Sequence, residues 1–147
     1  MQLRLLFGLI FLGLGIWPLA GQQAWPARYA ASYGFEAVRD HDSKVIVLRV
    51  DSLSDAYRKG IRPGMEIIGW NTLPVERYLK EIKVRKAIKS FPGIKSEELR
   101  IMLLTRGRPG ETAEVFFVTG TGNNWGIRIV AGLDRPFSGR FSIFRKF

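Results

Sequence analysis

Cysteine is absent from the 147 residues. That excludes a disulfide, a thiolate nucleophile, a cysteine-ligated zinc and a lipidated cysteine anchor, so the compartment has to be judged from targeting signals. Histidine is reduced to His41, and acidic residues are scarce, 13 against 23 lysines and arginines, which leaves a net charge of +10. Such a balance suits an anionic partner at low salt. The cations, however, are spread from Arg28 to Lys146 without an aromatic-interleaved stripe, so most of the charge reads as solvated surface and nucleic acid is disfavoured as a partner. Long apolar runs are missing beyond Leu5 to Ile16, and that run is shorter than the about 20 residues of a comfortable membrane span.

What is present at the N-terminus has the layout of an export signal: Arg4, the apolar run, then Trp17-Pro-Leu-Ala-Gly21 before polar Gln22. Residues 1–21 are read as a signal peptide or signal anchor forming an apolar helix. Leu19 makes the cleavage signature poor, so membrane contact through residues 5–20 stays open. The expected location is periplasmic, extracellular or anchored to an inner membrane. Residues 22–32 lack any period and read as a linker, residues 33–132 as the domain, and residues 133–147 as a tail.

Within the domain, residues 34–39 and the β-branched residues 44–50 form a strand pair around the turn Asp40 to Ser43, the second strand buried on much of both faces. Ser54 caps a short helix over 55–59 that Gly60 ends. Residues 65–70 make a strand after the Arg62-Pro-Gly64 turn, and Asn71 suits a positive φ. The spacing predicts a helix over 75–90 with Tyr78, Ile82 and Ile88 on one face, and a second over 96–105 with Ser96 as its cap and acids in its first turn. Residues 99–104 are open to a strand reading too. Strands follow over 112–118 and 125–131.

Ser54-Asp-Ala56, Lys59-Gly-Ile61, Pro63-Gly-Met65, Ile67-Ile68, and Asn71 followed by Pro74-Val75 resemble the core signature of bacterial PDZ domains. Leu103-Leu-Thr-Arg-Gly-Arg-Pro-Gly-Glu-Thr-Ala-Glu-Val115 is similar to the segment of carboxyl-terminal processing serine peptidases where the groove helix turns into the next strand. The likeness spans residues 33–131. Met65, Lys59 and Thr72 depart from the usual Asp, Ala and Gly, and the 75–90 helix looks like an insertion. The resemblance implies an α+β fold: a small, partly open antiparallel β-barrel or sandwich of five to six strands, flanked by two or three helices.

It also implies a mechanism, the addition of an extended peptide to the strand Phe35 to Arg39 beside the helix Ser96 to Thr105. Tyr33-Gly34-Phe35 matches the family's carboxylate-binding loop, with Glu36 and Ala37 continuing the peptide edge and Leu99, Ile101 and Leu104 as candidates for the pocket lining. Asp40-His41-Asp42 reads as a surface turn rather than a metal site, and no cofactor is expected. A serine–lysine dyad is a geometric claim, and the resembled peptidases carry theirs in a catalytic domain that follows the module. The chain is therefore expected to be a non-enzymatic, exported binder of protein or peptide C-termini. Two alternatives stand: a fragment of a serine-type processing peptidase lacking its catalytic domain, and a basic surface protein for anionic lipid or nucleic acid.

Overall fold

In the computed structural model residues 25–132 are described; the expected apolar helix of residues 1–21 and the tail after Gly132 lie outside them. The chain starts with a 3-10 turn, Ala27–Tyr29, and strand β1, Ala31–Ser32. These lie in the stretch read as a linker, and they are held to the fold. The Arg106 Nε–H donates to the Tyr29 carbonyl at 2.8 Å, and its guanidinium stacks 3.9 Å above the Trp25 ring.

Gly34 then turns the backbone into β2, Phe35–Arg39, at φ +89°. A Cβ there would lie 2.2 Å from the Ser54 Cβ, so the position needs glycine for space as well as for conformation. The turn to β3, Val45–Val50, is held by Asp40, whose Oδ1 accepts the Asp42 and Lys44 amides at 2.9 Å each. Only one face of β3 is fully buried: Val45, Val47 and Val50 face the core, while Ile46 and Leu48 are half-exposed, against the expectation of burial on both faces.

Helix α1, Asp55–Arg58, starts on Ser54, whose Oγ accepts the Tyr57 amide at 3.1 Å, and stops at Gly60 at φ +94°. After β4, Glu66–Trp70, Asn71 adopts φ +54° and its side-chain oxygen accepts the Glu114 amide at 3.0 Å, which ties this turn to a neighbouring strand. The two-residue strand β5, Leu73–Pro74, leads into α2, Val75–Glu81.

The helix expected over 75–90 breaks after Glu81. Ile82 is extended at ψ 115°, and the chain resumes as a 3-10 turn over Ala87–Ser90. Val75, Leu79 and Ile82 occupy the buried face of α2, and a further helical turn would bring Arg85 and Lys86 onto it. Burying unpaired cations is costly. The break leaves both in solvent and turns Ala87 and Phe91 into the core instead.

Helix α3, Ser96–Leu104, has Lys95 at its cap position with no side-chain cap, so Ser96 is its first residue rather than its cap. Strands β6, Arg106–Gly107, β7, Thr112–Val118, and β8, Asn124–Val130, complete the described fold. The main sheet runs β2-β3-β4-β7-β8, all antiparallel, with β5 folded back on β4, while β1 and β6 form a separate two-stranded ribbon. The sheet is an open path with six strands, not a closed barrel. Phe35, Trp70, Phe91 and Phe117 are the largest fully buried side chains of the described fold.

Gly34→Ala is expected to lower stability by about 2–5 kcal/mol, from a left-handed backbone plus a steric overlap. Gly93→Ala, at φ +86° but with open space around it, should cost only about 1–2 kcal/mol. Urea unfolding of the two variants side by side checks the difference.

Candidate functional site

An antiparallel sheet with two free ends offers two edges to a visiting strand, and here they are unequal. The outer side of β8 is partly engaged by α1 and the residue that caps it: the Val130 amide donates to Asp55 Oδ2 at 3.2 Å, and Lys59 Nζ donates to the Arg128 carbonyl at 2.6 Å. Asp55 and Lys59 are themselves paired at 2.9 Å. Burial alone would raise the Asp55 carboxyl, but the hydrogen bond and charge of Lys59 and the Val130 amide outweigh it, and the net shift is downward.

On β2, Asp40 donates to the Lys44 carbonyl and Asp51 to the Gly34 carbonyl, which fixes the bonding phase at both ends of the pair with β3. Between them the register slips at Glu36/Ala37. The alternation then directs the backbone N–H and C=O groups of Phe35, Ala37 and Arg39 away from β3. No other strand pairs with this side among the described residues, and α3 packs alongside it.

The residues singled out by sequence divide into three groups. Phe35, Glu36 and Ala37 lie on β2, with Glu36 held by a bidentate ion pair to Arg49 on β3, at 2.6 Å from Nε and 2.5 Å from the terminal nitrogen. The carboxylate loop is different: the Tyr33 amide donates to the Thr105 carbonyl at 3.0 Å and the Gly34 amide to the Ser32 Oγ at 3.0 Å. Two of the three donors meant for a terminal carboxylate are thus engaged internally, because the end of α3 and the β1 hydroxyl come close to this loop. Leu99, Ile101 and Leu104 are all buried and serve as core, since the apolar face of α3 turns toward the sheet rather than outward.

Arg39 was not anticipated as a site residue. At the end of β2 its guanidinium reaches Glu76 on α2 at 2.8 Å and Glu97 on α3 at 2.7 Å, joining strand, insertion and helix at one end of the β2–α3 cleft. Nothing local could have shown this, because its partners lie 37 and 58 residues further on. The Tyr33 phenol is also notable. Burial first, and then the Glu111 carboxylate, push it well above the ordinary tyrosine range, so it stays neutral and packs edge-on to Trp70 at 5.4 Å.

Asp40, His41 and Asp42 bring one ligand atom each within 4.8 Å of one another. The Asp40 oxygen is already committed to two backbone amides of its own turn, and the carboxylate of Asp42 meets His41 Nε2 at 3.2 Å. This is the bonding of a polar hairpin turn. No helix among the described residues is long and apolar enough to cross a membrane.

No protein-family model and no curated protein sequence matches the chain. Its fold is similar to regions of larger solved structures. A mutant of CPAF superposes with TM-score 0.54 at 14% identity, over 71% of this chain and 20% of that one. The photosystem II D1 C-terminal processing protease gives 0.52 at 17%, over 76% and 25%. Mature CPAF complexed with lactacystin gives 0.51 at 14%, over 71% and 21%. The chain thus shares the fold of a region of CPAF and of the photosystem II D1 C-terminal processing protease, and it spans a fifth to a quarter of their length.

Asp55→Asn should destabilise the protein at neutral pH and flatten the acid limb of its stability profile. The contribution of a carboxylate shifted downward is present above its ordinary value of 3.8 and fades as pH falls through the lower folded value. Urea titrations across the acid range of wild type and variant measure it.

Proposed function

We propose that this chain carries a PDZ-like peptide-binding module that takes an extended segment of another protein onto the outer edge of β2, without chemistry of its own. The observation that carries this reading is the inequality of the two sheet edges. The β8 edge is bonded to Asp55 and Lys59 of α1, whereas Phe35, Ala37 and Arg39 direct backbone donors and acceptors outward beside α3. Strand addition supplies affinity through such backbone bonds and specificity through alternate side chains. The likeness to processing proteases supports a role in holding a polypeptide.

The internal bonds at Tyr33 and Gly34 refine which peptides suit it. A free terminal carboxylate would meet only the Phe35 amide unless the bonds to Thr105 and Ser32 open, so internal extended segments compete with C-termini on nearly equal footing. Export, and tethering through residues 5–20, belong to the same reading, with the protein partner outside the cytoplasm. A second reading is favoured by the neighbours themselves: the module serves as the substrate-holding region of a serine-type processing peptidase whose catalytic part is separate from the residues described.

The test is a binding screen with extended peptides, each with a free or an amidated C-terminus, against wild type and Ala37→Pro. Proline at 37 removes an outward N–H while sparing the ladder to β3, so affinity should fall about five-fold for one hydrogen bond of about 1 kcal/mol. Unchanged affinity, or no peptide binding by wild type, would sink the groove reading. Mass spectrometry of peptides after incubation should show them intact, and cleavage would overturn the non-catalytic reading.

A further inference from the structure

The cations of this protein are not alike in their surroundings. Several around β2, β3 and α1 are paired: Arg39, Lys44, Arg49, Arg58 and Lys59 each meet a carboxylate. Between Arg77 and Lys95 the sequence carries seven more, Arg77, Lys80, Lys83, Arg85, Lys86, Lys89 and Lys95, against the single acid Glu81. None of these seven side chains has an ion pair or hydrogen bond with another described residue. The longest run of unbalanced charge thus lies on α2 and the broken segment after it.

That segment also encloses a hollow of about 640 Å³ between α2 and the 3-10 turn at the start of the described chain. Its walls include the rings of Tyr29 and Tyr78 with Ile82 and Ala87, and its lining also holds Lys83, Arg85 and Lys86, one acid, Glu81, and Arg28, which is paired to Glu111 at 3.6 Å. A largely apolar hollow in which cations outnumber the one acid fits a ligand with an anionic head and an apolar body. Beside it Ile88 leaves 37% of its surface in water, flanked by Lys86 and Lys89.

We propose that the α2 segment and its hollow are a docking site for anionic phospholipid, with a headgroup phosphate between Lys83 and Lys86 and Ile88 entering the interface. Charge complementarity argues for the anion. The apolar side chain among unpaired lysines argues for a lipid surface rather than a nucleic acid backbone. Sequence continuity agrees, because only residues 17–24 separate the apolar run ending at Ile16 from Trp25 and the hollow. The proposal rests on different residues from the peptide groove and stands or falls separately.

Absence of cysteine makes the experiment clean, since one introduced cysteine is the only labelling site. Nitroxide labels at Ile88→Cys and, as a control, Leu53→Cys in the full chain are followed by relaxation with an aqueous nickel chelate and with oxygen. On phosphatidylglycerol vesicles the label at 88 should become shielded from nickel and accessible to oxygen, while on phosphatidylcholine it stays aqueous; the label at 53 stays aqueous on both. Comparing the two lipids cancels any insertion by the N-terminal run. In the exposed pair Lys83→Gln with Lys86→Gln, the phosphatidylglycerol preference should fall about 30-fold, roughly five-fold for each basic residue near the surface. The proposal is overturned if label 88 behaves alike on both lipids, or if the double variant keeps the preference. It is equally overturned if inorganic phosphate alone shields label 88, or if duplex DNA displaces the chain from the vesicles and shields the label instead.

Discussion

Trp70 leaves the central strand β4 fully buried and meets Tyr33 at 5.4 Å, Phe35 at 6.3 Å and Tyr78 at 6.0 Å between ring centres. Each contact joins a different part of the molecule to the sheet: the loop before β2, β2 itself, and α2. Aromatic rings in tilted or edge-on arrangements add to burial a preference for one geometry. The candidate edge strand and the basic segment therefore share a single anchor. A shift of the indole would be felt at both, although they face different ligands.

The architecture around that anchor manages its exposed backbone unequally. At one end of the sheet a short helix lends side chains to two backbone groups of β8, blunting part of an edge that would otherwise invite association. At the other, β2 keeps an uncovered side, and Arg39 spans the cleft mouth to two glutamates that are more than half exposed. Exposed pairs of this kind contribute about 0–1 kcal/mol. They can be displaced by a ligand at little cost, which suits a reversible clasp better than a structural lock.

Much of the α+β order was legible because the devices that set it are local. Ser54 bonds to an amide three residues on, Gly60 ends the helix it follows, and Asn71 takes the positive φ its side chain permits. The break in α2 was not legible, since a helical face that holds Val75, Leu79 and Ile82 looks continuous until Lys86 and Phe91 compete for the core. The β1–β6 ribbon escaped notice because two-residue strands carry no period and their partners are about 75 residues apart. The same holds at the site. The strand Phe35–Arg39 could be read from its own residues, but the engagement of the Tyr33 amide depends on Thr105, and the inward turn of Leu99, Ile101 and Leu104 depends on where the sheet lies.

Ser32, near the start of the described fold, and Gly132, at its end, are bonded to each other: the Ser32 amide donates to the Gly132 carbonyl at 3.2 Å and the Gly132 amide to the Ser32 carbonyl at 2.9 Å. A hundred residues thus leave and rejoin the path of the chain at neighbouring points. To any polypeptide around it, such a unit is a side loop with a narrow neck, and nearby ends are what make a domain tolerable as an insertion. The geometry lets the fold hang from a larger protein, or be gained and lost as a cassette, without forcing the flanking segments apart.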